Sequence, residues 1–195
     1  MSHFFYHTEG LVLGRRPSRE ADEFLLILSS ELGLIWVLAR GLRLAKSKLR
    51  TNVKEWQAAR FSLVRGRETW RLVGAEVQAS APKLSLSVRR LLSRAGILVK
   101  RFVPLEAESE QIFSEFKAAI DFLSRVEFWT ETDLAAAELL LALRVLAWLG
   151  YVPPATRPPI LTGGHEWSKE LLNELRVARR PTLDLVNAAV NASQL

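Results

Sequence analysis

Residues 38–50, LARGLRLAKSKLR, carry Arg40, Arg43, Lys46, Lys48 and Arg50 and no acidic side chain. Like charges at this density repel one another, and the arrangement becomes favourable when a polyanion is the counterpart and its condensed ions are released on binding. Phosphate is the ligand chemistry such a stretch suits. Lys54, Arg65, Arg67 and Arg71 follow it, and Arg15, Arg16 and Arg19 precede it. Trp36, Trp56, Phe61 and Trp70 are interleaved with these cations. A cationic groove with aromatic platforms holds single strands, because every base has a π-face and every phosphate a charge. The plainer alternative is that the cations only solvate an exposed face and the aromatics fill a core.

The charge is local. Residues 40–71 hold ten Lys or Arg against Glu55 and Glu68, so this window is +8 and the remainder of the +6 chain sums to −2. A second cluster, residues 83–101, has six basic side chains and no acid, whereas residues 106–138 hold nine acids against Lys117 and Arg125. Such polarity implies one anionic partner and a separate surface of opposite sign. Arg89, Arg90 and Arg94 in the second cluster are candidates for extending a DNA track or for holding an acidic protein tail.

Catalytic chemistry finds little to work with. The chain has no Cys and three His, at positions 3, 7 and 165, so thiolate zinc sites, iron–sulfur clusters, disulfides and Cys nucleophiles are excluded. His3 and His7 would share a strand face, with no third ligand nearby. Glu20 and Asp22, among Glu9, Glu23 and Glu31, are two apart and could share a face as a metal pair, but turn and ion-pair roles with Arg16 or Arg19 suit them better. There is no Walker-type phosphate loop and no credible Ser-His-Asp set. No enzyme activity, cofactor, metal or small-molecule substrate is expected. The opening MSHFFYHTEG lacks a basic region ahead of an apolar one, and the run LAAAELLLALRVLAWLGY is broken by Glu138 and Arg144. A cytoplasmic protein without a membrane span is expected.

The elements that must position these residues change character near Pro82. Before it, EGLVLGRR, EFLLILSSE, LIWVLAR, ARFSLVRG and TWRLVGAEVQ read as five strands separated by turn signals. After it the period becomes 3.6: residues 84–102, 109–126 and 130–150 read as helices, the last with Thr130 and Asp133 as a cap-like start and Gly150 as a stop. Residues 151–165 are rich in Pro and Gly and read as a loop, followed by short helices over 166–180 and 182–193. The class expected is α+β: a five-stranded OB-type β-barrel over 1–81 as the DNA-binding domain, followed by an α-helical domain over 82–195. The long basic insertion between the third and fourth strands matches an OB barrel, and an SH3-like barrel competes. Strand alternation puts Ile35, Val37 and Ala39 on one face and Trp36, Leu38 and Arg40 on the other, so Trp36 faces outward if the first set lines the barrel.

These residues resemble those of a known family. The stretch GLVLGRRPSREADEFLLILSSELGLIWVLARGLRLAKSKLR resembles the opening barrel of the RecO-type recombination mediators. A first strand ends in basic residues, and Glu20 and Asp22 form a Glu-x-Asp turn. Then come Glu31-Leu32-Gly33-Leu34-Ile35, Ala39-Arg40-Gly41 and Lys46-Ser47-Lys48-Leu49. The later LAWLGYVP resembles the helix that precedes the family's last segment. The resemblance implies an OB barrel followed by a helical domain and a role in recombinational DNA repair. It further implies binding of single- and double-stranded DNA, annealing of complementary strands and, with a RecR-type partner, loading of RecA recombinase onto DNA coated by single-strand-binding protein. An acidic tail of that protein would then dock near Arg89, Arg90 and Arg94. A non-catalytic adaptor whose helical domain recruits partners, with a barrel that binds RNA or any polyanion, is the alternative.

One departure stands out. Many members carry a four-Cys zinc module after the helix that ends at the equivalent of Gly150, whereas here the stretch YVPPATRPPILTGGH contains no Cys. A shortened, metal-free region is expected there.

Overall fold

The computed structural model describes residues 4–77, 81–158 and 166–192. Five strands, β1 (Phe5–Pro17), β2 (Glu23–Ser29), β3 (Gly33–Ala39), β4 (Ala58–Arg65) and β5 (Trp70–Val77), close into a barrel in the order β1-β2-β3-β5-β4. Strand β3 pairs with β5 in parallel and every other pairing is antiparallel. The parallel crossing, which a simple meander lacks, is the OB-type topology and removes the SH3-like alternative. Inside lie Val12, Leu25, Ile27, Ile35, Val37, Ala39, Phe61, Leu63 and Leu72.

The basic segment between β3 and β4 is tied at both ends. Leu42 and Val53 turn into the barrel core, a 3-10 turn spans Lys48–Thr51, and the Asn52 side-chain Nδ2 donates to the Ala75 carbonyl at 2.9 Å. The apolar side chains thus hold the segment down while its cations point to water.

Two compact units can be distinguished. One comprises the barrel, up to Pro82, together with Pro104–Phe113; the other comprises Lys83–Val103 and the residues from Ser114 onward. The sequence placed all of 82–195 in a helical domain, yet 104–113 folds with the barrel. Leu105 bridges Leu34, and the Glu106 amide donates to the Leu34 carbonyl at 2.9 Å. Gly33, at φ +72°, admits this return: a Cβ there would lie 2.1 Å from the Ala107 carbonyl oxygen.

The helical unit is built on α1 (Leu86–Phe102), α2 (Glu110–Ser124), whose first turn belongs to the barrel unit, α3 (Glu131–Trp148), α4 (Lys169–Val177) and α5 (Arg179–Ala192). Helix α3 packs against α1, α4 and α5, which is why its apolar residues leave no polar stripe. Thr130 and Asp133 form a reciprocal capping box at its start, and Gly150 ends the turn at φ +82°. Within it Arg144 Nη1 donates to Glu115 Oε2 at 3.0 Å, both side chains being buried.

Candidate nucleic-acid interface

The pairing register assembles a row of outward-facing residues around one end of the barrel. Arg16 on β1 is opposite Phe24 on β2, Phe24 opposite Leu38 on β3, Leu38 beside Arg71 on β5, Arg71 opposite Val64 on β4, and Val64 opposite Phe5 at the start of β1. Trp36 belongs to the same face, two residues before Leu38. Its ring meets that of Phe24 edge-on with centroids 6.4 Å apart. The Arg16 guanidinium carbon sits over both, 4.3 Å from the Trp36 centroid and 4.8 Å from that of Phe24. Two half-buried aromatic rings and a half-buried Leu38 therefore form a platform edged by Arg16 and Arg71.

The loops around this platform are basic as well. Arg19 lies in the β1–β2 loop and Arg67 in the β4–β5 loop, the two loops with which OB barrels hold oligonucleotides alongside the β2–β3 face. Asp22 ties the basic segment to the first of them. Its Oδ1 accepts from the Gly41 amide at 2.8 Å, and the Arg43 amide donates to the Ala21 carbonyl at 3.0 Å. Arg40 and Arg43 are thereby fixed at the edge of the platform, both exposed. Lys46, Lys48, Arg50 and Lys54 are exposed farther along the same segment, which leads away toward Ala75 on β5. They extend the positive surface along the segment.

Several residues read as ligand-binding have other duties. Trp70 is buried at 6% exposure among the core residues, with its Nε1–H donating to Glu106 Oε1 at 3.2 Å and its ring 5.0 Å edge-on from Tyr6. It is not a stacking platform, because β5 alternation directs Trp70 and Leu72 inward and Arg71 outward. Phe61 and Trp56 are likewise buried, as the core reading of these aromatics anticipated. Arg65 pairs with Glu106 and lies over the Trp70 ring at 4.7 Å, which commits its charge to the protein. That hydrogen bond from Arg65 is the main reason the Glu106 carboxyl is held below the usual carboxylate range; the Trp70 N–H adds to it and partial burial opposes it. Arg15 donates to the Val53 carbonyl and pairs with Glu23 at 3.4 Å, so it braces the basic segment. In the helical unit Arg94 forms a two-point ion pair with Glu138, each contact 2.5 Å, which raises its pKa, while Arg89 Nε donates to the Leu84 carbonyl and Arg90 is exposed.

Asp22 is thus a turn residue rather than half of a metal pair. His3, read as sharing a strand face with His7, lies outside the described residues, and His7 Nδ1 is 3.0 Å from Ser62 Oγ. Among the described residues no group of three or more His, Asp or Glu is arranged to hold a metal ion, and no helix is long and apolar enough to cross a membrane. The 151–165 loop is described only up to Pro158, with a 3-10 turn at Pro154–Thr156. Phe24 and Glu106 were not singled out from sequence, and Leu38 was placed on the outward face with Trp36 but given no role. Phe24 opens a run, FLLIL, that is apolar at every position, so no alternation marks which side chains face outward.

Fold and surface together define a class: an OB-type barrel followed by helices, with the aromatic platform and basic loops of barrels that hold nucleic acid strands. Residues 1–81 match the family model described as Recombination protein O N terminal. A protein of Synechococcus sp. named DNA repair protein RecO is 29% identical over 93% of this chain and 70% of its own length. Proteins of the same name from Pelotomaculum thermopropionicum and Alkaliphilus metalliredigens are 31% and 30% identical, over 78% and 69% of this chain and 58% and 55% of theirs. The chain is similar to RecO proteins along most of its length, and its match to the family model lies in residues 1–81. It spans little more than half the length of the latter two relatives.

Proposed function

We propose that the protein is a recombination mediator in DNA repair that binds single and double strands, anneals complementary ones and, together with a RecR-type partner, assists RecA recombinase onto DNA coated by single-strand-binding protein. The observation that carries the reading is the Arg16–Phe24–Trp36–Leu38–Arg71 face bordered by Arg19, Arg40, Arg43 and Arg67. It offers rings at which bases stack and cations at which phosphates exchange their counterions. Double strands would be held by the backbone alone, through Lys46, Lys48, Arg50 and Lys54, which need no access to base faces. The protein would act on the bacterial nucleoid, in the cytoplasm, without catalysing covalent chemistry.

Annealing is served by a surface that neutralises two strands without reading their sequence, since stacking on Trp36 and charge at phosphate are both indifferent to base identity. An acidic tail of single-strand-binding protein would dock on the helical unit at Arg89 and Arg90, with Arg94 available only if it leaves Glu138. A strand-annealing assay at several salt concentrations tests the main reading. Acceleration that fades as salt rises is expected; binding without annealing would instead identify an adaptor.

A further inference from the structure

The outer row of the barrel does not stop at the β2–β3 face. Beyond Leu38 it crosses Arg71 and Val64 and ends at Phe5, and this far end is apolar and exposed: Phe5 is 60% exposed and its neighbour Phe4 77%. We propose that a single nucleic acid strand held on the β2–β3 face continues across Arg71 onto the outer surface of β4 and the start of β1, where Phe5 is a second stacking platform for a base. The inference rests on the reading of the β2–β3 face given above.

Geometry and charge both favour a strand here. Neighbouring strands lie about 4.8 Å apart, so the five steps from Arg16 to Phe5 cover on the order of 24 Å of barrel surface. That length suits a chain of several nucleotides, OB barrels occupying roughly 4 to 16 each. The exposed cations along it are Arg16 and Arg71 within the row and Arg67 in the loop between β4 and β5, Arg65 being held by Glu106.

The charge changes sign away from this row. His7 and Ser62 form the next pair, and beyond them Glu9 pairs with Arg60 and Arg60 with Glu76; these three residues and Glu31 border a polar cleft. Three carboxylates against one guanidinium repel phosphate and confine a polyanion to the row of Arg71 and Phe5. A purely apolar protein segment would fit Phe4 and Phe5 but would gain nothing from the cations between them and the Trp36 face.

The test uses the full chain and labelled oligo-dT and oligo-rU of increasing length at constant salt, with Phe5→Ala, Phe5→Tyr and Trp36→Ala. Trp36→Ala should weaken every length that binds. Phe5→Ala should leave the shortest bound oligomers unaffected and weaken the longest by roughly five- to a hundred-fold, with the salt slope unchanged and Phe5→Tyr close to the parent. Equal effects on dT and rU would mean that any single strand is taken; an effect on one alone would identify that strand as the ligand. An unchanged melting temperature for Phe5→Ala checks that folding is intact. If Phe5→Ala binds like the parent at all lengths while Trp36→Ala does not, the extension is wrong and the β2–β3 face stands. If neither variant changes binding, the face itself is wrong. Unchanged binding with altered self-association would mark Phe5 as a protein contact and overturn the proposal.

Discussion

The Arg16 guanidinium rests 4.3 Å from the centroid of the Trp36 ring, so a cation already covers the ring at which the proposed interface would stack a base. On that reading an arriving base would slide against the ring or sandwich the guanidinium, and in either case the cation would stand beside the adjoining phosphate. Trp36→Ala is expected to lower single-strand affinity by roughly 1 to 3 kcal/mol with little change in salt slope, since stacking releases no counterions. Arg16→Ala should instead flatten the slope of log affinity against log salt by about 0.7. Titrations at four or five salt concentrations separate the two.

Changing Arg43, Lys46, Lys48 and Arg50 together to Ala should flatten that slope by roughly 2 to 3 units, short of four clean losses because neighbouring cations substitute. The melting temperature should hardly move, because the segment is held by Leu42, Val53 and Asn52 rather than by its exposed charges. A variant with parental affinity and slope would show that these cations only solvate the surface.

Trp70→Ala should behave as a core truncation. A loss of about 3 to 5 kcal/mol of stability is expected, with any loss of binding following the unfolded fraction. Denaturant unfolding beside binding at low temperature checks it; a stable variant defective only in binding would restore Trp70 to the interface.

The Arg65–Glu106 pair makes an acid-dependent contribution. Because the folded-state pKa of Glu106 is depressed below its unfolded value, its stabilisation is present above that unfolded value, near 4.5, and is lost as pH falls through the folded value. Glu106→Gln should therefore be slightly less stable than the parent at neutral pH and converge with it in acid. The effect is small, since both side chains are more than 40% exposed. Melting temperatures of the two proteins from pH 7 down to about 3 give the comparison, and parallel curves would refute it.

Strand number, helix positions and the charge map were readable along the chain because each depends on local pattern. Alternation around Ile35, Val37 and Ala39 placed Trp36 outward, and Thr130, Asp133 and Gly150 marked the ends of α3, as observed. Cations at 40–71 could be recognised as a group, but not sorted. Arg65 and Arg71 are both exposed at their strand ends, and only the return of 104–113, which brings Glu106 to Arg65 and Trp70, separates a committed guanidinium from one on the proposed ligand face.

Local sequence determined that this chain would carry a five-stranded barrel, a basic segment and a helical unit, because periodicity, turn residues and caps act over a few residues. Register across strands decided the rest. That Arg16 meets Phe24, that Leu38 neighbours Arg71 and that Phe5 ends the same row depends on pairings between residues far apart in the chain, and barrel closure sets them all together. A shift of one residue in any pairing would turn an outward ring inward, so which aromatic side chain can meet a base is a property of the closed barrel and not of any single strand.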